Sequence, residues 1–251
     1  QSNNKIRKIV IATGEATTFA GSGSWGSANG TGTAASFNSP QGITTDGTNL
    51  YLVDRSNHKI RKIVIATGAV TTLAGSGQAG STDATGTSAK FNYPDYVTMD
   101  DTNLYVGDTN NHLIRKIVIS SGAVTTIAGS TSSGSTDGTG TSASFNYPTG
   151  ITIDGSNLYV ADRNNHKIRK LDLTGTVTAD VKLHNLDDDT DATVSLASSD
   201  TGEGTVSPAT LTFTENNWNT AQTVTVAGVN DNDKDRHQAY KISLSAADQH
   251  L

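Results

Sequence analysis

Residues 57–63 read NHKIRKI, and the string returns as NHLIRKI at 111–117 and as NHKIRKL at 165–171, with a worn copy, NNKIRKI, at 3–9. His58, His112 and His166 stand 54 residues apart, and Asn4 holds the same place one period earlier. Self-similarity at a fixed period of this size marks a stack of supersecondary units that cannot bury their apolar faces singly. The period therefore decides the fold.

Within one period, FNSPQGITTDGTNLYLVDRSNHKIRKIVIATGAVTTLAG (37–75) aligns with 91–129 and then with 145–178. Each unit contains four β-type runs, in the first unit 42–45, 49–53, 58–65 and 69–74. Between them lie an Asp-Gly turn (Asp46, Gly47), a turn from Asp54 to Asn57, and a Thr-Gly turn (Thr67, Gly68). These are hairpin signals. Four short antiparallel strands per repeat describe a propeller blade.

The string P.GIT.DG.NLYV.D..NHKIRKI...G.V.T.AG resembles the NHL-repeat family of β-propellers, over residues 1–178. The resemblance implies that the run around Gly42–Thr45 lines a central channel and that the IRK run is a more peripheral third strand. The expected fold is all-β: about three and a half four-stranded blades in residues 1–174, then a small domain in 175–251. Residues 4–20 are expected to be the outer two strands of an incomplete blade, and the last blade's outer strand is expected to merge into the next domain. Propellers usually close with about 4–8 blades. The chain is thus expected to be part of a longer array, or an arc whose strand edges are covered by something else, self-association included.

Composition narrows the class. The chain has no cysteine, so disulfides and cysteine-ligated metals are excluded. No apolar run approaches the ~20 residues that span a bilayer. No signal peptide is visible, so any targeting segment is expected upstream or removed. Residues 1–175 hold 14 Lys/Arg against 12 Asp/Glu, whereas 176–251 hold 4 against 12. Two domains with different roles are expected.

Repetition argues for scaffold. Asp54, Asp108 and Asp162 recur once per unit, and a carboxylate there can accept backbone N–H bonds and lock the turn between strands two and three. A catalytic group acts once per site, and blades fan repeated histidines apart. Phe37, Phe91 and Phe145 close Gly/Ser/Thr-rich connectors and are expected to pin their ends in the core. Differences between units are where a ligand site is sought. The second unit has Asp95-Tyr96 where the others have Gln41-Gly42 and Thr149-Gly150, and Asp101 for Gly47 or Gly155. Asp95, Tyr96 and Asp101 are the ligand-binding candidates, the first two at a channel mouth by family analogy.

After residue 175 the period stops, and strands are expected at 177–184, 192–199, 205–213, 222–229 and 239–246. This stretch resembles a Calx-beta-type (Ig-like) sandwich, a calcium-binding module of bacterial surface proteins, here without an evident opening or closing strand. Alternating connections put turns 199–204 and 230–238 at one end. Asp200, Glu203, Asp231 and Asp233 can therefore converge, and the resemblance places calcium ligands in these two loops; oxygen ligands suit Ca²⁺. Neither acidic run is an EF-hand, because the sixth position from Asp187 or Asp231 is Ala192 or Arg236 rather than Gly.

The expected function is a non-catalytic scaffold at a bacterial cell surface or outside the cell, binding a protein or glycan. One alternative is a propeller lyase or hydrolase with a channel metal, which needs unrepeated His or Glu on inner strands, and none is seen. Another is a nucleic-acid-binding propeller, which wants a strongly basic face; the propeller part is only about +2 by the count above (14 − 12).

Overall fold

The computed structural model describes residues 3–173, 176–181, 192–198, 204–214, 216–217, 220–228 and 242–246. They divide into two compact units, 1–154 with 158–171, and 155–157 with 172–251.

The first unit is a series of blades. A half-blade holds β1 (Ile6–Ile9) and β2 (Ala16–Ala20). Blade 1 holds β3 (Gly30–Thr31), β4 (Pro40–Thr45), β5 (Asn49–Asp54), β6 (Lys59–Val64) and β7 (Ala69–Ala74), in the spatial order β3-β7-β6-β5-β4. Blade 2 is the four-stranded meander β8 (Tyr96–Met99), β9 (Asn103–Asp108), β10 (Leu113–Val118) and β11 (Val124–Ala128). Blade 3 holds β12 (Pro148–Ile153), β13 (Asn157–Asp162) and β14 (Lys167–Asp172).

The four expected runs of the first unit coincide with β4 to β7 to within two residues at each end. The short β3 was not expected. It comes from the connector before blade 1 and pairs Gly30 with Val70 and Thr31 with Ala69, which covers the outer edge of that blade. A groove of about 360 Å³ beside the half-blade is lined by Ile6, Phe19, Ile43, Leu50 and Ile65. Inner strands stand over the matching surface in blade 2: Ile43 is 47% exposed, whereas its counterpart Val97 is 5% exposed.

The second unit is two three-stranded antiparallel sheets. One is β15 (Thr176–Val181), β19 (Gln222–Gly228) and β17 (Gly204–Ser207); the other is β18 (Thr210–Phe213), β16 (Ala192–Ser198) and β20 (Ile242–Ala246). Val194, Leu196, Leu211, Phe213 and Val224, with Val206 against them, form one apolar cluster fed by both sheets. The expected single strand 205–213 is instead two strands in different sheets, because Pro208 has no N–H to continue a ladder. β15 pairs with β19, and blade 3 is left with three strands among the described residues.

Each of the three blades contains a buried ionic cluster of the same design. In blade 1, Asp54 and Arg61 are wholly buried and meet at 2.7 Å. Arg61 Nη1 also donates to the Ser36 carbonyl, and Nη2 donates to Ala28 O and Asn29 Oδ1. The Asp54 carboxylate accepts the Asn38 N–H at 2.7 Å and the Asn57 amide at 2.9 Å. Asn57 Nδ2 donates to Gly26 O as well. One aspartate, one asparagine and one arginine thereby fasten the whole connector to its blade. This corrects the expected role of the aspartate: its side chain does not cap the turn that follows it. It clamps the chain 16 residues earlier.

Blades 2 and 3 repeat the cluster. Arg115 meets Asp108 at 2.8 Å and Asp83 at 2.6 Å, and Arg169 meets Asp162 at 3.1 Å and Asp137 at 2.6 Å. Under each guanidinium lies the expected buried phenylalanine, Phe37, Phe91 or Phe145, with Cζ 5.3, 5.1 and 4.9 Å from the ring centre. The ring face offsets charge that hydrogen bonds do not reach, since Nε of Arg61 and Arg115 has no partner among the described residues. Burial pushes the Asp54 and Asp108 carboxyls above the usual range, and the donors around them pull the other way.

Removing one member of such a pair leaves the other charge buried and alone. Arg115→Ala is expected to lower the unfolding free energy by about 3–5 kcal/mol. The Asp108→Ala/Arg115→Ala double variant should lose less than the sum of the single changes. Urea unfolding of the four proteins in a double-mutant cycle checks this; additive losses would mean that the pair does not act as a unit.

Candidate functional site

The strand that opens each blade and the turn between its second and third strands lie at one end of the blade, because Pro40 pairs with Asp54 and Pro148 with Asp162. That turn is one turn of 3-10 helix in each blade, Arg55–Asn57, Thr109–Asn111 and Arg163–Asn165. It is closed by His58, His112 or His166 in the left-handed region, at φ of 54, 60 and 55°. Asn4 has φ 49°. Asn and His are among the side chains that enter this region most readily.

The left-handed residue links consecutive blades. The Tyr93 N–H donates to His58 Nδ1 at 3.0 Å, and the Tyr147 N–H donates to His112 Nδ1 at 3.1 Å. The rings meet edge to face, with centroids 4.6 and 4.9 Å apart. At the first seam the Ser39 N–H donates to Asn4 Oδ1 at 3.0 Å. The acceptor role assigns the proton of each neutral imidazole to Nε2. Burial lowers the pKa of His58, and the Arg55 charge adds to that effect; burial also lowers His112, against the charge of Asp162.

The sequence candidates fall around the seam between blades 1 and 2. Asp95 is nearly buried, and its carboxylate takes the Arg55 Nε–H at 2.5 Å. Its carbonyl accepts the Gly42 N–H, and its own N–H donates to Gly107 O. A Cβ on Gly42 would come within 2.7 Å of Tyr96 Cα, so this close approach requires glycine. Tyr96 is 47% exposed and sits opposite Gly107 in the ladder. Arg55, its side chain 30% exposed, lies over the Tyr93 ring at 5.0 Å. Asp101 is exposed in the turn after β8, at the far end of that strand from Asp95 and Tyr96. The structure thus joins Asp95 to Arg55 and Arg55 to Tyr93, with Tyr96 the next residue along the chain, and it places Asp101 at the other end of that strand.

Arg55 and Tyr93 did not stand out in the sequence. The available signal was positional and partial: Asp95 departs from Gln41 and Thr149 at its repeat position, whereas Arg55 recurs as Arg163 and only Thr109 differs from it. The second domain's candidates, Asp200, Glu203, Asp231 and Asp233, lie outside the described residues. Among the described residues no three His, Asp or Glu side chains are grouped to hold a metal ion.

These blades define an all-β, propeller-type repeat fold. The family described as NHL repeat matches residues 145–171. The chain is 33% identical over 190 residues to NHL repeat-containing protein 2 of Bos taurus, covering 68% of this chain and 26% of that protein. It spans about a quarter of the length of that relative. A Bacteroides thetaiotaomicron structure of a protein of unknown function is 27% identical, with a TM-score of 0.57, over 68% of this chain and 42% of that one. A Bacteroides ovatus structure described as an auxiliary nutrient binding protein has a TM-score of 0.54 at 24% identity, over 67% of this chain and 43% of that one.

The histidine links carry a pH dependence. A histidine whose folded pKa is lowered takes its proton more readily when unfolded, so its contribution is complete above the ordinary value of 6.5. That contribution is lost as the pH falls through the folded pKa. Asn4 shows that an amide makes the same link without titrating. His58→Asn/His112→Asn should therefore lose less stability than the parent between about pH 7.5 and 5.5, a window that brackets the ordinary imidazole pKa. Urea midpoints at the two pH values test this, and equal losses would remove the histidines as the cause.

Proposed function

We propose that this chain is a non-catalytic binding scaffold, working outside the cell or at a cell surface, that holds a protein or glycan at the seam around Tyr96. One observation carries the proposal. The repeated polar groups of the blades are engaged in fastening connectors and seams, whereas Tyr96 breaks the repeat, is 47% exposed, and follows directly on the Asp95 that pairs with Arg55. A ring face, a guanidinium whose Nη groups make no hydrogen bond among the described residues, and the Asp95 carboxylate suit a polar ligand with donors and acceptors of its own. The Bacteroides ovatus protein of similar fold is described as an auxiliary nutrient binding protein, which fits a binding role.

The metal-dependent enzyme alternative finds no supporting cluster among the described residues. Self-association belongs to the same proposal, since the inner edge of β1 has no neighbouring strand among the described residues. For the second unit we keep calcium at Asp200, Glu203, Asp231 and Asp233 as a proposal supported by the alternation of connections read in the sequence and by the Calx-beta resemblance.

Screening the chain on oligosaccharide and peptide arrays, then measuring the strongest binder by calorimetry, tests the seam. Tyr96→Ala should weaken that binder by about tenfold or more, the worth of a lost aromatic contact. Its thermal midpoint should stay close to that of the parent. Unchanged affinity would move the binding site elsewhere. For the second unit, calcium should raise the thermal midpoint of the chain by mass action, and magnesium should do so less. An unchanged midpoint at millimolar calcium would reduce these acids to surface charge.

A further inference from the structure

Comparison of the seams shows a pairing between two positions on the trailing side of one blade and the connector of the next. The left-handed residue accepts an N–H from the connector: Asn4 from Ser39, His58 from Tyr93, His112 from Tyr147. The residue three before it finds a partner near the start of the following blade. Arg55 takes the Asp95 carboxylate, two residues after Tyr93. Thr109 instead donates its hydroxyl to Pro148 O at 2.6 Å, and the residue two after Tyr147 is Thr149. Arginine on the trailing side thus goes with an acid in the connector, and threonine goes with a backbone carbonyl.

Blade 3 carries the arginine version. Arg163 and His166 repeat Arg55 and His58, and His166 holds the same left-handed backbone. Both side chains are exposed, and among the described residues no hydrogen bond reaches the His166 ring. Arg163 leans back over Tyr147 of its own connector, at 5.6 Å, where Arg55 lies over Tyr93 of the following one. Beside them Ile168 is 72% exposed, although its counterparts Ile60 and Ile114 are fully buried. Ile60 shares a core cluster with Phe91, two residues before Tyr93.

We propose that the trailing face of blade 3 docks a partner segment of the type Phe-x-Tyr-Pro-acid. Its tyrosine N–H meets His166 Nδ1, its carboxylate meets Arg163, and its phenylalanine covers Ile168. The occupant follows from continuity with the seam between blades 1 and 2, where in the segment Phe91-Asn92-Tyr93-Pro94-Asp95 the Tyr93 N–H meets His58, the Asp95 carboxylate meets Arg55, and Phe91 shares a core cluster with Ile60. A second copy of the chain does not offer it. That segment is held in its own seam, with Phe91 fully buried and Asp95 nearly so, and the other connectors carry Gln41 or Thr149 at the acid position. The face is independent of Tyr96, so a chain that binds nothing at the seam between blades 1 and 2 still presents it.

The probe is the capped peptide FNYPDYV, titrated into the full chain while the histidine side-chain resonances are followed by NMR. A saturable change at His166 is expected. The peptide FNYPTYV should bind about tenfold or more weakly, as befits loss of a hydrogen-bonded charge. Arg163→Ala should remove the difference between the two peptides, and His166→Ala should weaken both. Both substitutions are on exposed side chains, and an unchanged thermal midpoint confirms that the variants are folded. Equal affinity for the two peptides overturns the proposal. So does a lack of saturation at millimolar peptide, or a saturable change elsewhere that leaves His166 unmoved.

Discussion

A buried arginine paired with a buried aspartate holds each blade together. Two opposite charges removed from water are stabilising only when their remaining donors and acceptors are satisfied. Arg61 meets this condition by collecting Asp54, two carbonyls and a side-chain amide while resting on Phe37. Those carbonyls belong to the connector. A Gly/Ser/Thr-rich segment of about twenty residues has too little apolar surface to order itself. It is ordered here because a desolvated guanidinium needs its carbonyl groups.

Placement of the connector then sets the seam. With Asn38, Asn92 and Asn146 fixed by the aspartates, the next residue in each case is left-handed and offers its N–H to the preceding blade. One ionic cluster within a blade thus determines where the following blade docks. The scaffold histidine contributes a ring nitrogen, and Asn4 contributes a carbonyl oxygen to the same end. Conformation is the shared requirement: the position must tolerate positive φ and carry an acceptor at the right reach.

Scaffold and candidate site are therefore made of the same parts. Blade 2 departs from its neighbours at Asp95, Tyr96 and Gly107, and the departures compensate one another. Asp95 is stabilised by Arg55 of the preceding blade, and Tyr96 stands opposite a residue with no side chain. Such linked changes leave one exposed aromatic residue on a repeat that otherwise has glycine there, Gly42 or Gly150.

The sequence by itself determined the period, the four strands of a full blade, the connectors with their buried phenylalanines, and the position at which the repeat breaks. These are local matters, since strand alternation and turn residues are set by neighbours along the chain. It also marked Asp95 and Tyr96 as departures. Only the tertiary structure decided what the aspartates and histidines do, because, the turn asparagine three residues on apart, their partners lie 7 to 35 residues away, among them Arg61 for Asp54 and Tyr93 for His58. The division of 205–213 between two sheets, and the pairing of β15 with β19, were likewise beyond local pattern. A strand's own residues specify that it will pair; which edge it meets depends on where the rest of the chain places its partners.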